Sequence, residues 1–382
     1  METEVKTTQA EPVKQPSRRK FLTTASVGAA GAAITGFPMI AVAQSPVVLK
    51  MQGAWGAKDV FNEMAEEYVK RVNEMAEGRM RIDYLVGGSV VKPFEVMDAT
   101  SKGVIDAGHQ VAVYWYGKSK VASLFGSGPV SGCDAAQTLA WIHKEGQVFY
   151  DELVKNLNLN VVGFFAMPMP TQPLGWFKKP IAKASELKGF KYRTVGLAAD
   201  LMQELGMRVT QLPGGEIVPA MERGVIDAFE FNNPTSDRRF GAQDVAKNYM
   251  MGSYHQSMEF FEIIFNKKKY DALPNDLKAI LKYGAEAAST ANYALAMDLY
   301  SSDLQALKEK DKVNILRTPQ EIFDAQIKAW DVVTDRLVKE DPFFAKVWAS
   351  QKDWAKRVGY YHFFNNADYK AAYEHVFGKL GF

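Results

Sequence analysis

From residue 47 to residue 107 the apolar positions change period several times. Val47 to Trp55 reads as a strand, and from Asp59 to Ala76 the apolar residues Val60, Phe61, Met64, Ala65, Tyr68, Val69 and Val72 keep helical spacing. Gly78 ends that helix, Met80 to Val86 alternates as a second strand, Gly87-Gly88 turns the chain, and Pro93 to Lys102 predicts a short helix. The pentapeptide Gly103-Val104-Ile105-Asp106-Ala107 follows, read as a helix-ending glycine and then a buried strand. The order strand, helix, strand, helix, strand predicts a right-handed α/β unit.

The same pentapeptide returns at Gly224 to Ala228, again directly after a short amphipathic helix, here Gly215 to Arg223. Before it come a helix from Ala135 to Leu157, a strand from Asn158 to Ala166, a strand from Phe190 to Arg193, a helix from Leu197 to Leu205 and a strand from Arg208 to Leu212. Glu259 to Asn266 is a further strand that crosses back. In open α/β sheets ligands collect beyond the carboxyl ends of strands. Gly108-His109-Gln110 and Glu230-Phe231-Asn232-Asn233 are therefore candidate walls of one site. From Pro274 onward helix dominates, and the stretch from Trp330 to the aromatic tail Tyr360-Tyr361-His362-Phe363-Phe364 either covers the protein's own core or meets a second copy.

The N-terminus changes the picture of where the chain works. Ser17-Arg18-Arg19-Lys20-Phe21-Leu22, the uncharged run Thr23 to Ala43 and its Ala41-Val42-Ala43 end predict a twin-arginine export signal cleaved after Ala43. Residues 1–43 hold five Lys/Arg and three Asp/Glu, which leaves 41 of each in the rest of the chain. That balance argues against a nucleic-acid partner. The single cysteine, Cys133, excludes an intramolecular disulfide and a cysteine-rich zinc site. A mature chain of this length is expected to form two lobes.

No GxSxG elbow, HExxH, P-loop or GxGxxG following a strand occurs. What remains suits binding of a small anion. Arg193 ends a predicted strand and precedes a glycine-containing step into a helix, so its guanidinium and the helix's free N–H groups both favour a carboxylate; a surface ion pair with a neighbouring acid is the alternative. Glu230 lies among apolar residues, where it needs a cation, either Arg193 or a metal. Gln172 lies in a proline-rich crossing and offers an oxygen to an ion site with Glu230, or an inter-lobe hydrogen bond. Tyr114, Trp115 and Tyr116 could cap a ligand or form ordinary core. His109 reads as a packing residue more readily than a catalytic one.

Lys191-Tyr192-Arg193-Thr194-Val195-Gly196, continuing to Leu205-Gly206, resembles the signature of the periplasmic solute-binding subunits of tripartite ATP-independent periplasmic (TRAP) transporters. The resemblance spans nearly all of the mature chain. It implies an α/β, two-lobed periplasmic binding protein of type II-like architecture, with a hinge and long C-terminal helices bracing both lobes. On this reading residues 1–43 are the leader, 44–165 with part of 250–300 form lobe I, 166–250 form lobe II, and 270–382 form the helical brace and a dimerisation segment. The resemblance implies that Arg193 anchors a carboxylate and that Gln172, Tyr114, Glu230, Phe231 and Asn232 line the site. It also implies that Gln172, Glu230 and the Phe231 carbonyl hold a single Na+ or Ca2+. Where such members usually carry Trp after the Glu, this chain has Phe231 and then Asn232-Asn233, a variant also found with larger and aromatic acids.

The expected function is capture of a 2-oxo or 2-hydroxy acid in the periplasm, aromatic acids included, and delivery to TRAP membrane permease subunits, without catalysis. An exported metal-dependent enzyme acting on a small carboxylate is the alternative, and a structural protein assembling through its helical tail a third reading.

Overall fold

The structure is a computed structural model and describes residues 45–381. The predicted leader and its cleavage site lie outside the described residues. The chain begins with β1 (Val47–Gly53), α1 (Val60–Met75), β2 (Met80–Leu85), α2 (Val96–Lys102), β3 (Ala107–Gln110), α3 (Ala135–Trp141), α4 (Gln147–Asn156) and β4 (Val161–Met169). It continues through β5 (Gly175–Phe177), β6 (Lys191–Arg193), α5 (Leu197–Glu204), β7 (Arg208–Thr210), α6 (Ile217–Glu222), β8 (Ala228–Phe229), α7 (Pro234–Arg239), α8 (Ala242–Val245) and β9 (Asn248–Met251). The last part comprises β10 (Glu259–Asn266), α9 (Lys267–Asp271), α10 (Asn275–Glu309), β11 (Asn314–Arg317), α11 (Gln320–Glu340), α12 (Pro342–Asn365) and α13 (Tyr369–Phe377).

Two sheets result, ordered β2-β1-β3-β10-β4 and β7-β6-β8-β5-β9-β11. In each, the second listed strand lies parallel to its two neighbours and the next two pairings are antiparallel. The second sheet repeats the first, with β11 added at its edge. The chain passes between the sheets at residues 170–174 and returns at 252–258. These crossings are held together, since Gln172 donates its main-chain N–H to the Gln256 carbonyl (3.1 Å) and Thr171 its hydroxyl to the Ser257 carbonyl (3.1 Å).

The doubled pentapeptide is a structural repeat, but not a strand. Gly103 and Gly224 take positive φ, 75° and 69°, as C′ glycines require. In both copies the valine N–H returns 2.9 Å to an alanine carbonyl of the preceding helix, Ala99 or Ala220. The aspartate then clamps the parallel strand: Asp106 exchanges bonds with both main-chain groups of Lys50, and Asp227 with those of Lys191. Regular pairing starts only at the alanine, Ala107 beside Met51 and Ala228 beside Tyr192.

Other elements also differ from the sequence-based reading. The helix predicted over 135–157 is interrupted by a π-turn at Ile142–Gly146. β5 and β9 form in segments with no readable period, β11 interrupts the helical C-terminal part, and β4 stays in the first sheet to Met169. The seven apolar positions expected to bury α1 are all buried. α10 has 35 residues, about 52 Å of helix, and braces both lobes. It accepts from Tyr68 at the Leu281 carbonyl (3.1 Å), and Asp303 pairs with Arg238 of α7 (3.0 Å). α11 packs on α5, while α12 returns to the first lobe, where Gln351 donates to the Leu124 carbonyl (2.7 Å). Trp330, Phe344, Val347 and Trp348 thus cover this chain's own core, whereas Tyr360, Tyr361, Phe363 and Phe364 are exposed. Among the described residues, no helix is long and apolar enough to cross a membrane.

Candidate functional site

Arg193 closes β6 and Glu230 follows β8, and the two parallel strands set Arg193 beside Phe229. Both side chains therefore leave the second sheet at adjacent carboxyl ends, where open α/β sheets gather ligands. They are only 1% and 0% exposed. Arg193 donates Nε–H to the Leu212 carbonyl (2.8 Å) and Nη1–H to both the carbonyl (2.8 Å) and the Oε1 (3.0 Å) of Glu230. The Phe231 ring lies 5.7 Å from its Cζ. The ion pair with an acid is thus buried, not superficial, and among the described residues the Nη2 edge of the guanidinium has no hydrogen-bond partner.

Arg193 also lines a narrow cavity of about 10 Å³ between the lobes. Trp55, Phe61, Val111 and Tyr114 line it from the first lobe, Arg193, Val195, Phe231 and Asn232 from the second, Gln256 from the return crossing and Glu259 from the start of β10. Gln172 is buried behind Glu259, donating Nε2–H to Glu259 Oε2 (2.8 Å) and Gln256 Oε1 (3.1 Å). Asn232 donates to the same Glu259 oxygen (2.8 Å). Asn233 plays another part, capping α7 by accepting from the Ser236 N–H (2.8 Å).

Glu259 is the residue the sequence reading missed. It starts β10 opposite a bulge, where Met169 faces Glu259 but Ala166 faces Phe261, so two residues of β4 oppose one of β10. Strand alternation then directs Glu259, Phe261 and Ile263 to one side and Phe260, Glu262 and Ile264 to the other. Glu262 is consequently a structural acid, accepting from Tyr150 (2.5 Å), Gln110 (2.8 Å) and Trp115 (3.0 Å) behind the sheet. The available signal was the pair of acids in an otherwise apolar strand.

Burial raises both site acids, Glu230 to about 7 and Glu259 to about 8; the charge of Glu230 raises Glu259 further, and Arg193 opposes both shifts. At this site two acceptors, Gln172 Oε1 and Glu230 Oε2, are buried with no hydrogen-bond partner among the described residues. Orphan acceptors beside two destabilised carboxylates are what a hard cation relieves. Among the described residues no group of three or more His, Cys, Asp and Glu could hold a metal, so an ion here needs amide and main-chain oxygens as well. Such an oxygen set suits Na+ or Ca2+ and would supply positive charge to a bound carboxylate.

The other candidates separate. Tyr114 lines the cavity, its phenol held neutral by burial, while Trp115 bonds Glu262 and Tyr116 bonds Asp200 across the lobes. His109 stays outside the cavity, packed between Trp55 and Phe261 with neither ring nitrogen bonded; burial lowers its pKa to about 3. Gln110 is likewise turned away, so the first wall is Val111 and Tyr114, not Gly108-His109-Gln110. The first N–H of α5 does not await an anion, because Leu197 donates to Ser123 Oγ (3.2 Å) of the other lobe.

The monocarboxylate 2-oxoacid-binding periplasmic protein of Nostoc sp. (strain PCC 7120) is 29% identical over 360 residues, covering 92% of this chain and 98% of that protein. A TRAP transporter solute-binding protein from Bordetella bronchiseptica RB50 superposes with a TM-score of 0.82 at 26% identity, over 87% of this chain and 99% of that one. It is a mixed-occupancy dimer with copurified calcium and picolinate in one active site and an apo site. A TRAP periplasmic solute-binding protein from Pseudoalteromonas atlantica T6c, with bound sodium and pyruvate, matches with a TM-score of 0.79 at 27% identity, over 87% and 99%. Residues 51–341 match the family of bacterial extracellular solute-binding proteins, family 7, and the chain belongs to that family.

Proposed function

We propose that this chain captures a small organic carboxylate, a 2-oxo or 2-hydroxy acid, in the periplasm and delivers it unchanged to the membrane permease subunits of a TRAP transporter for ion-driven uptake. One observation carries the reading: a buried arginine, whose Nη2 has no partner among the described residues, lines an inter-lobe cavity together with the buried acid Glu259, and a second buried acid, Glu230, is bonded to that arginine. The free edge pairs with the ligand carboxylate. A Na+ or Ca2+ ion is held by Gln172 Oε1, Glu230 and the Phe231 carbonyl, with Glu259 added, and its charge draws in the carboxylate and a neighbouring 2-oxygen. Tyr114 and Asn232 complete the lining.

The ligand joins residues of both lobes, so binding favours the closed arrangement, with residues 170–174 and 252–258 as the hinge. Export follows the twin-arginine leader, which suits a protein folded around its ion. The exposed aromatic end of α12 together with α13 forms a homodimer contact, a reading supported by the dimeric Bordetella relative.

Titration calorimetry of the metal-loaded protein with pyruvate, lactate and picolinate tests the proposal. Micromolar or tighter binding that disappears after chelation is expected. Absence of binding by all three acids, or consumption of the ligand on incubation, would overturn it.

A further inference from the structure

We infer that the cleft contains a second compartment for an apolar tail, so that the preferred ligands are 2-oxo monocarboxylates with an aliphatic or phenyl side chain, in place of the three-carbon acid. The inference rests on the carboxylate reading above.

The small cavity at Arg193 adjoins a larger one of about 400 Å³, and Trp55 and Phe231 belong to the lining of both. A carboxylate held at Nη2 of Arg193 has the rest of its chain directed past these two rings. The larger space lies between the lobes, with Trp55, Gly56 and Ala57 on one side and Pro213, Gly215 and Phe240 on the other. Its inner surface is mainly carbon. Of its charged groups, Asp59 is half-buried and accepts from Ser236, Arg239 pairs with Glu63, and Lys58 and Glu216 are exposed.

Glycines create the room. A Cβ on Gly56 or Gly215 would meet nothing within 4 Å, so both walls are set back from the space between them. A Cβ on Gly214 would come within 2.5 Å of the Phe231 ring; this close approach seats the ring as a partition between the two compartments. A polar tail would leave its donors against carbon, which is unfavourable. An apolar tail loses water contact on both sides, which corresponds to about fourfold in affinity for each methylene fully buried.

Calorimetry of the calcium-loaded protein with straight-chain 2-oxo acids of about three to eight carbons, and with phenylpyruvate, tests this against the typical size of ligand pockets. Kd is expected to fall about three- to fourfold per methylene over at least the first three steps. Gly215→Phe is expected to abolish that gain while leaving pyruvate affinity within about twofold. Ala57→Phe fills the space from the opposite lobe and replaces the first variant if that one fails to fold. Pyruvate binding as tightly as every longer acid, or a chain-length gain that survives both folded variants, would overturn the tail compartment alone. Failure of every acid to bind would overturn the carboxylate reading together with it.

Discussion

Ser236 donates its hydroxyl to the Asp59 carboxylate at 2.8 Å, joining α7 of the second lobe to the N-cap of α1 in the first. Arg239, three residues on, pairs with Glu63 one turn into α1. These contacts bridge the two lobes across the cleft. Ser236→Ala removes one hydrogen bond of the closed state, typically about 1 kcal/mol, without touching the ligand. Affinity is expected to weaken about fivefold, with the melting temperature of the ligand-free protein nearly unchanged. Calorimetry and small-angle scattering with and without pyruvate check this; unchanged affinity would show that the bond contributes nothing to closure.

Arg193→Ala is expected to lower carboxylate affinity by ~2 to 4 kcal/mol, the usual consequence of removing one partner of a buried charged contact. Arg193→Lys should not rescue it. A single ammonium cannot bond the Leu212 carbonyl, the Glu230 carboxylate and the ligand together as the planar guanidinium can. Near wild-type affinity in either variant would remove Arg193 from the anchor role.

The buried acids predict how stability follows pH. Asp59 is raised to about 6, Glu230, Asp237 and Glu262 to about 7, and Glu259 to about 8, in every case first by burial. Between the unfolded and folded values the native state binds more protons than the unfolded chain, so this contribution is full below about pH 4 and is lost as pH rises through 6 to 8. The melting temperature of chelated protein should therefore fall from pH 5.5 to pH 8. Added calcium should flatten that fall, because the ion neutralises Glu230 and Glu259, and its affinity should rise with pH as their protons leave. A thermal-shift series with and without chelator decides it; parallel curves would argue against a cation at these residues.

Glu262 separates structure from site. Glu262→Ala leaves Tyr150, Gln110 and Trp115 as buried unpaired donors, at about 1 to 3 kcal/mol for each that finds no new partner. Glu262→Gln keeps shape and one acceptor, and should lose less. Denaturant unfolding measures both. Ligand affinity of the folded Gln variant should stay within about twofold, since Glu262 faces away from the cavity.

Much of the framework is local enough to be read from residue order. α1 shows its buried face because helical spacing repeats over four turns, and the doubled pentapeptide marks two helix ends because a C′ glycine is a local requirement. Arg193, Gln172 and Glu230 stand out by motif and by being polar groups in apolar surroundings. The strands β5, β9 and β11, three or four residues each, carry no period of their own and form only because partners distant in sequence supply their hydrogen bonds.

Sequence alone determined that this chain makes two similar α/β units, with an arginine at the end of one predicted strand and an acid just after another. Only tertiary structure decided which acids matter together. Glu259 and Glu262 are three residues apart in one apolar strand, yet one faces the cavity and the other a tyrosine, a glutamine and a tryptophan behind the sheet. Side-chain direction in a strand follows register, and the register here is set by a bulge against β4, a strand some ninety residues earlier in the chain.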